Sequence, residues 1–416
     1  MTFNARGLRE YYGLENRSVV LFFLAAFMVQ STMGALNVIL NLYILELGFS
    51  EDFVGMLLSV KLFTTGLVCI PAGLICTRWG VRRVLLLASA ALALGVLMVA
   101  LTAQPWLLLL GAVAIGAAQA TKAVSVPPFL VENSSPQIRQ NLFSLNFSLM
   151  MFANMVGNAL SGYLPMFWSN AGAGYAGTLF FYGIVALVAS IPLALIAKGK
   201  PRTEDVGRIQ LFQGFRDIWG QRNLARLLLA HALIGFGAGL IVPLFNIFMS
   251  NKLGASSGEI GVIMSVGQVA TALGGLLVPL IVTRLGRVTT VATLRMASIP
   301  FLLLIANLPS IYGVGAAYLM RTALMNMTNP VESSFAMELA GSRRVEMSSL
   351  VSTMDTATRG ISVLAGGWLM ARFSYSVPYY FTCALYAVTV LAYWVWFKPM
   401  NKPRVGSTGE TASLTL

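Results

Sequence analysis

Hydrophobic and polar positions in this chain separate into long stretches. Twelve apolar blocks of about 20–26 residues follow one another, each near the ~20 residues that carry a helix across ~30 Å of hydrocarbon. The first is Val19–Tyr43, the second Phe53–Cys76 and the last Val377–Phe397, with short polar turns between most neighbours. Gly34, Pro71, Pro192, Pro243 and Pro279 fall inside blocks without forbidding helix, because neighbouring helices satisfy the freed backbone groups. The pattern predicts an all-α integral membrane protein with 12 transmembrane helices. The opening block is too long for a signal-peptide core and lacks a small-residue cleavage site, so it is expected to stay as a span.

The blocks also repeat. At a constant offset of 206 residues, Gly55, Ser59, Val60, Thr65, Thr77, Arg78 and Gly80 meet identical residues at Gly261, Ser265, Val266, Thr271, Thr283, Arg284 and Gly286. Further on, Ser161–Leu164 ("SGYL") resembles Gly366–Leu369 ("GGWL"). Two pseudo-symmetric six-helix bundles are the economical reading, over residues 1–197 and 223–398, and parallel repeats of this kind mark transporters. The stretch 198–222 between them is polar. Within it Ile209, Phe212, Phe215 and Trp219 recur at helical spacing opposite Arg208, Arg216 and Asp217, which predicts an amphipathic segment on the membrane surface. Residues 399–416 read as a disordered tail.

Composition supports the membrane assignment and charge orients it. Of 416 residues 57% are hydrophobic and 10% charged, with mean hydropathy +0.77, against roughly 25% charged in a soluble domain. The net charge of +13 raises the question of a nucleic-acid partner, but its placement answers otherwise. Of 28 Lys and Arg, five lie inside blocks (Lys61, Lys122, Arg295, Arg321, Arg359), and only Lys252 and Arg372 face the side opposite the N-terminus. The remaining 21 face the N-terminal side, a positive-inside bias that puts both termini in the cytoplasm, with anionic lipid headgroups as neighbours and no nucleic acid. The cysteines, Cys69, Cys76 and Cys383, all sit in blocks and carry no disulfide framework.

The turn between the second and third blocks carries Gly73, Thr77, Arg78, Gly80, Arg82 and Arg83; its weaker copy carries Pro279, Thr283, Arg284 and Gly286. Glycine at a helix end permits the left-handed turn, and arginine beside it complements the negative helix terminus. After the fourth block come Glu132, Pro136 and Arg139, echoed by Glu338, Arg343 and Arg344. These motifs resemble those of the major facilitator superfamily, and the resemblance spans nearly the whole chain. It implies a secondary transporter whose two halves alternate access to a central cavity, as a monomer in the cell's inner membrane. The family usually has Asp where Thr77 stands; there the Asp helps latch the inner gate, and Thr77 brings no charge to it. Two drug-exporter signatures are missing: Ala112 stands four residues before Gly116 where an Arg is usual, and Gly157–Gly162 ("GNALSG") departs from Gly-Pro-x-x-Gly-Gly.

Cargo chemistry must come from polar groups kept in the membrane. A Lys or Arg at mid-helix costs ~2.5–3.5 kcal/mol on insertion scales, so it faces a cavity or a partner. Lys61, Lys122, Arg321 and the pair Asp355/Arg359 lie on helices that, by the resemblance, line the cavity. Arg295 lies on a peripheral helix and is expected to snorkel. Asp355 and Arg359 share a helix face and form either a self-neutralising pair or a coupling pair. Lys61, Lys122 and Arg321 have no acidic partner at similar depth, so the cavity is expected to attract an anion. Gln30, Asn37, Gln119, Asn154, Asn158 and Gln268 either extend the lining or bond helix to helix. His231, the single histidine, is either a packed residue or a proton carrier, and Asp355 is the stronger candidate for the latter.

No nucleotide loop, H-E-x-x-H or carboxylate cluster is present, and Gly235–Gly239 ("GFGAG") lies mid-membrane, where close helix packing explains it. The reading argues against an ATP-driven pump, gives no sign of an enzyme, and requires no cofactor or metal. The expected function is movement of a small organic solute, anionic or amphiphilic, driven by a gradient. A proton-coupled exporter of drugs, metabolites or lipids is the alternative.

Overall fold

The computed structural model describes residues 15–135, 138–197, 220–341 and 344–400. The amphipathic segment expected within 198–222 and the tail 399–416 fall almost wholly outside the described residues, as do the side chains of Thr77 and Arg344. Among the described residues every regular element is helical. In chain order the spans are α1 (Arg17–Glu46), α2 (Glu51–Trp79), α3 (Val81–Leu101), α4 (Pro105–Glu132), α5 (Arg139–Tyr163) and α6 (Ala171–Val188), which runs on as Ser190–Leu195. The second set comprises α7 (Arg222–Ile241), α8 (Ser257–Leu285), α9 (Arg287–Asn307), α10 (Ile311–Asn326), α11 (Arg344–Arg372) and α12 (Val377–Phe397). The start of α1 and the end of α12 lie at the same end of the bundle, called here the terminal end; the opposite one, where Glu51 meets Tyr375, is the far end.

Proline decides where spans break. After Ile241 the helix of α7 narrows to a 3-10 turn at Val242–Leu244, where Pro243 cannot donate, and widens to a π turn at Phe248–Lys252. α8 bends by 45° between Gly275 and Leu277, because the ring of Pro279 crowds the carbonyl of Gly275 four residues earlier. α10 stops at Asn326 for the same reason, with Pro330 four residues ahead, and helix resumes at Asn329–Ala340. Eight of the spans are each long and apolar enough to cross a bilayer, and α8 qualifies when its two limbs count together. α5, α10 and α11 are more polar. α5 packs on α8 and α11 on α2 across the two sets, so these spans face protein over much of their surface.

Each set is its own bundle. In the first, α1 packs on α5 and α6, and α4 on α2 and α3; in the second, α7 packs on α11 and α12, and α9 on α10 and α12. The internal repeat is visible in the backbone. Gly48 and Gly254 have φ of 88° and 69°, Gly80 and Gly286 have φ of 80° and 76°, and both pairs stand 206 residues apart. A left-handed turn with ψ of 152° or 165° is open to glycine alone, which explains why the repeated turn keeps Gly80 and Gly286.

The two bundles meet most closely toward the far end, and they do so twice by the same rule. A Cβ on Gly162 of α5 would lie 2.5 Å from the Ser257 carbonyl oxygen and 3.1 Å from Gly261 Cα of α8. At the related crossing, a Cβ on Gly367 of α11 would strike the Glu51 carbonyl and lie 3.1 Å from Gly55 Cα of α2. Between these crossings α1 and α7 exchange hydrogen bonds reciprocally. Asn41 donates to the Pro243 carbonyl at 2.7 Å and to Asn246 Oδ1 at 2.8 Å, and Asn246 donates back to the Val38 carbonyl at 2.8 Å. Asn246 and Pro243 follow Asn41 and Val38 by 205 positions, so the exchange obeys the two-fold. Above it Tyr375 Oη donates to Glu51 Oε1 at 2.5 Å, and Asn251 donates to both at 3.1 and 3.3 Å. Small residues let backbones approach this closely where no hydrophobic force drives helices together.

These crossings set a test. Gly162→Leu forces a side chain against a backbone carbonyl that cannot rotate away, so the far end is expected to open. With Cys69, Cys76 and Cys383 replaced, spin labels at Ala103 and Tyr312, far-end positions of the two bundles, should move apart in the variant. Unchanged label separations would show that the glycine crossing does not hold the far end shut.

Candidate functional site

Between the bundles lies a cavity of about 310 Å³. The first bundle contributes Asn37 and Asn41 from α1 and Lys61 from α2; the second contributes Gln268 from α8, Arg295 from α9 and Arg359 from α11. Tyr318, Arg321, Thr322 and Asn326 from α10 and Tyr386 from α12 complete its polar lining, among apolar groups such as Leu36, Met264 and Met325. Asn37, Lys61, Gln268, Arg321 and Arg359 are thus brought together from five different spans.

Arg321 is the most constrained of these. It is 6% exposed, a terminal nitrogen lies 3.4 Å from Tyr386 Oη, and its Nε has no hydrogen-bond partner among the described residues. The hydroxyl of its neighbour Thr322 is buried beside Tyr318 in the same lining. Among the described residues no carboxylate lies within ion-pair distance of Arg321 or Lys61. Arg359 differs, because its Nε donates to Asp355 Oδ2 at 2.8 Å, one turn back on α11. That pair packs against the glycine run of α7: a Cβ on Gly235 would lie 2.9 Å from Asp355 Oδ1, and one on Gly239 would lie 2.8 Å from Arg359 Cα. "GFGAG" is a packing surface for α11.

The structure parts the other expected cavity residues from this site. Lys122 Nζ donates to Gln30 Oε1 within the first bundle, where Lys122 lines a pocket of about 30 Å³ walled by Phe22, Leu85, Leu92 and other apolar groups. The three cations expected to share one cavity are therefore two, Lys61 and Arg321. Gln119 is exposed and does not line the cavity. Asn154 and Asn158 lie in the seam of α5 against α1, where a Cβ on Gly34 would meet the Asn154 carbonyl at 2.6 Å, so their place is in helix packing. Asn158 is fully buried and its amide has no partner among the described residues.

Arg295 does not snorkel. It is 4% exposed and holds Glu332, itself 1% exposed, with both terminal nitrogens, one of them 2.9 Å from Oε1. Its Nε donates to Thr328 Oγ1 at 3.3 Å, and His231 Nε2 lies 3.6 Å from Glu332 Oε1. An arginine on α9, a carboxylate on the second limb of α10 and the single histidine on α7 thus meet beside the cavity. The sequence hides this because the three residues are far apart along the chain, and a lone Arg near a span end has the snorkelling alternative. The available signal was that Arg295 and Glu332 are opposite charges in successive spans.

At the terminal end Arg78, Arg83 and Arg284 are exposed, while Arg82 donates to the Ala194 carbonyl at the end of α6. A Cβ on Gly73 would contact Val124 at ordinary distance, and Thr283 Oγ1 donates to the Leu280 carbonyl at 2.8 Å. Arg139 Nε lies 3.4 Å from Ser134 Oγ, and Glu132 is exposed. Glu338 pairs with Arg287 at the start of α9, which ties the acidic residue of the second copy to the repeated turn itself.

No curated protein sequence matches the chain significantly. Solved structures do match its fold. The nucleoside transporter NupG superposes with a TM-score of 0.78 over 92% of this chain and 99% of that one, at 12% identity. A bacterial homologue of the human lysosomal transporter Spinster, in an inward-facing and occupied conformation, gives 0.71 over 94% and 97%, at 14% identity. A D-xylose-proton symporter gives 0.67 over 91% and 95%, at 16% identity. The sequence profile of the Major Facilitator Superfamily matches twice, over residues 22–231 and 227–415, once for each bundle. Twelve spans in two repeats, a cavity between them and this double match establish that the chain belongs to the Major Facilitator Superfamily.

Proposed function

We propose that the protein is a secondary transporter of small organic anions, working by alternating access of residues 1–197 and 223–398 around the central cavity. The observation that carries this is Arg321, buried with its Nε unpartnered and lining the same cavity as Lys61, with no carboxylate in ion-pair distance of either cation among the described residues. A buried charge without a partner is costly, and a cargo that supplies the opposite charge removes that cost. The planar guanidinium favours carboxylate, sulfonate or phosphate oxygens, which it can meet in a fork. Asn37, Gln268 and Asn326 offer amides to the rest of the solute. A cavity of about 310 Å³ suits a small solute.

The charge bias along the chain supports a cytoplasmic terminal end, an outward far end and a place in the cell's inner membrane, where exposed Arg78, Arg83 and Arg284 meet anionic headgroups. The far-end bonds then correspond to an outward gate held shut, and the cavity to a site loaded from within or emptied there. The bundles form the site within one chain, which supports a monomer. Thr77 in place of the family's acidic residue fits an inner latch with one ionic contact fewer. The chain itself supplies no nucleotide chemistry, so a solute or ion gradient drives the cycle.

Purified protein should be stabilised against heat by members of a panel of ionised anions, namely fumarate, benzoate, benzenesulfonate and methyl sulfate, and not by tetraphenylphosphonium. Stabilisation by the lipophilic cation alone would replace this reading with that of a drug exporter. Arg321→Gln should weaken the best anion by about 30-fold or more, the loss from removing one partner of a buried charge-assisted contact. Lys122→Gln, remote from the cavity and bonded to Gln30, should leave that affinity within about threefold. Equal losses in both variants, read by the same titration, would place the anion elsewhere.

A further inference from the structure

Arg321 borders two cavities. A terminal nitrogen lies beside Tyr386 in the central one, and the residue also lines a smaller cavity of about 10 Å³ on its far-end side. The small cavity sits between the break of α7, the last turns of α9 and the first turn of α12. Two buried donors line it without a hydrogen-bond partner among the described residues: Nε of Arg321, 6% exposed, and the hydroxyl of Tyr379, 1% exposed. Ile241, Leu302 and Ile305 supply aliphatic walls, and Phe245 stacks on Tyr318 with ring centroids 4.1 Å apart. Among the described residues no carboxylate lines it.

We propose that this small cavity is a halide site, where chloride or bromide accepts from Arg321 Nε and Tyr379 Oη, and that the bound halide weakens cargo binding next door. Its volume admits one occupant about as large as a water molecule. Counting hydrogens then selects an anion. A water accepting from both donors would leave its own two hydrogens facing side chains that accept nothing. A water donating to Tyr379 Oη would strand its second hydrogen and that of the phenol. A monatomic anion takes both donors, strands neither, and meets the guanidinium's charge inside a low-dielectric wall, where charge-assisted bonds are strongest.

Arg321 needs a counter-charge whether or not cargo is bound, since no side-chain carboxylate within ion-pair distance provides one among the described residues. A halide held from behind provides it and leaves Lys61 to the incoming anion. Carboxylates and sulfonates are too large for the small cavity and stay in the central one, which Arg321, Tyr318 and Val242 also line. The two negative charges draw on one guanidinium and repel each other across it, so each weakens the other by the same factor. This antagonism rests on the anion reading above; the halide site itself does not.

Crystals grown in sodium bromide should show the anomalous signal of bromide between Arg321 and Tyr379, and Tyr379→Phe should lose it. The variant is expected to fold, because the hydroxyl it removes has no partner among the described residues. In halide-free buffer the wild type and Tyr379→Phe should bind the best organic anion within about threefold of each other. Sodium chloride screens charges alike in both proteins, so any difference in its effect belongs to the small cavity. Adding it should weaken the wild type by about fivefold more than the variant. A water only at that position, with no bromide signal, or equal chloride sensitivity in the two proteins, would overturn the proposal. If none of the organic anions binds, the transport reading falls, and the bromide signal alone decides the halide site.

Discussion

An ionised side chain inside a bilayer must find a partner, reach water or be lost, and this protein is organised around the few it retains. Of the five basic residues inside its spans, Arg295 is answered by Glu332, Arg359 by Asp355 and Lys122 by the amide of Gln30. Lys61 and Arg321 are left facing the cavity. Those two carry the energetic penalty from which the proposed anion recognition is argued. The exteriors of the bundles are apolar, with residues such as Leu67, Leu280 and Val388 largely exposed where lipid would lie.

The scaffold holding these charges is nearly two-fold symmetric, and the chemistry is not. Gly162 with Gly261 and Gly367 with Gly55 repeat one crossing, and Asn41 with Asn246 joins the halves almost on the axis. Symmetry suits the mechanical task, because two similar bodies that touch through small residues can rock about shared contacts. The cavity departs from it: the first bundle offers amides and one lysine, and the second offers three arginines and a set of tyrosines. The repeat shapes the contacts between the bundles, and the side chains that break the repeat line the cavity.

Helix breaks serve the same division. Pro243, Pro279 and Pro330 each interrupt a span of the second bundle. The break after Asn326 has a direct consequence, because it redirects the chain so that Glu332 points back toward α9. A straight α10 would carry Glu332 three turns below Arg321 on a single axis. The local rule that proline cannot donate thus decides which arginine the carboxylate meets.

Much of this was legible in the linear chain. Span count, the repeated turn, the two-bundle architecture and the family follow from apolar length, charge bias and glycine placement, which are local properties that each segment carries wherever it packs. Lys61 and Arg321 could be singled out for the same reason: each is an expensive residue in its own span. Arg295 read wrongly, Lys122 and Gln119 read as cavity groups, and the meeting of His231, Glu332 and Arg295 was invisible. Those outcomes depend on helix rotation and on the break after Asn326, and rotation about a helix axis is set by neighbours from other spans. The amino-acid order determined which charges had to be accommodated; the packing of helices decided which of them found one another.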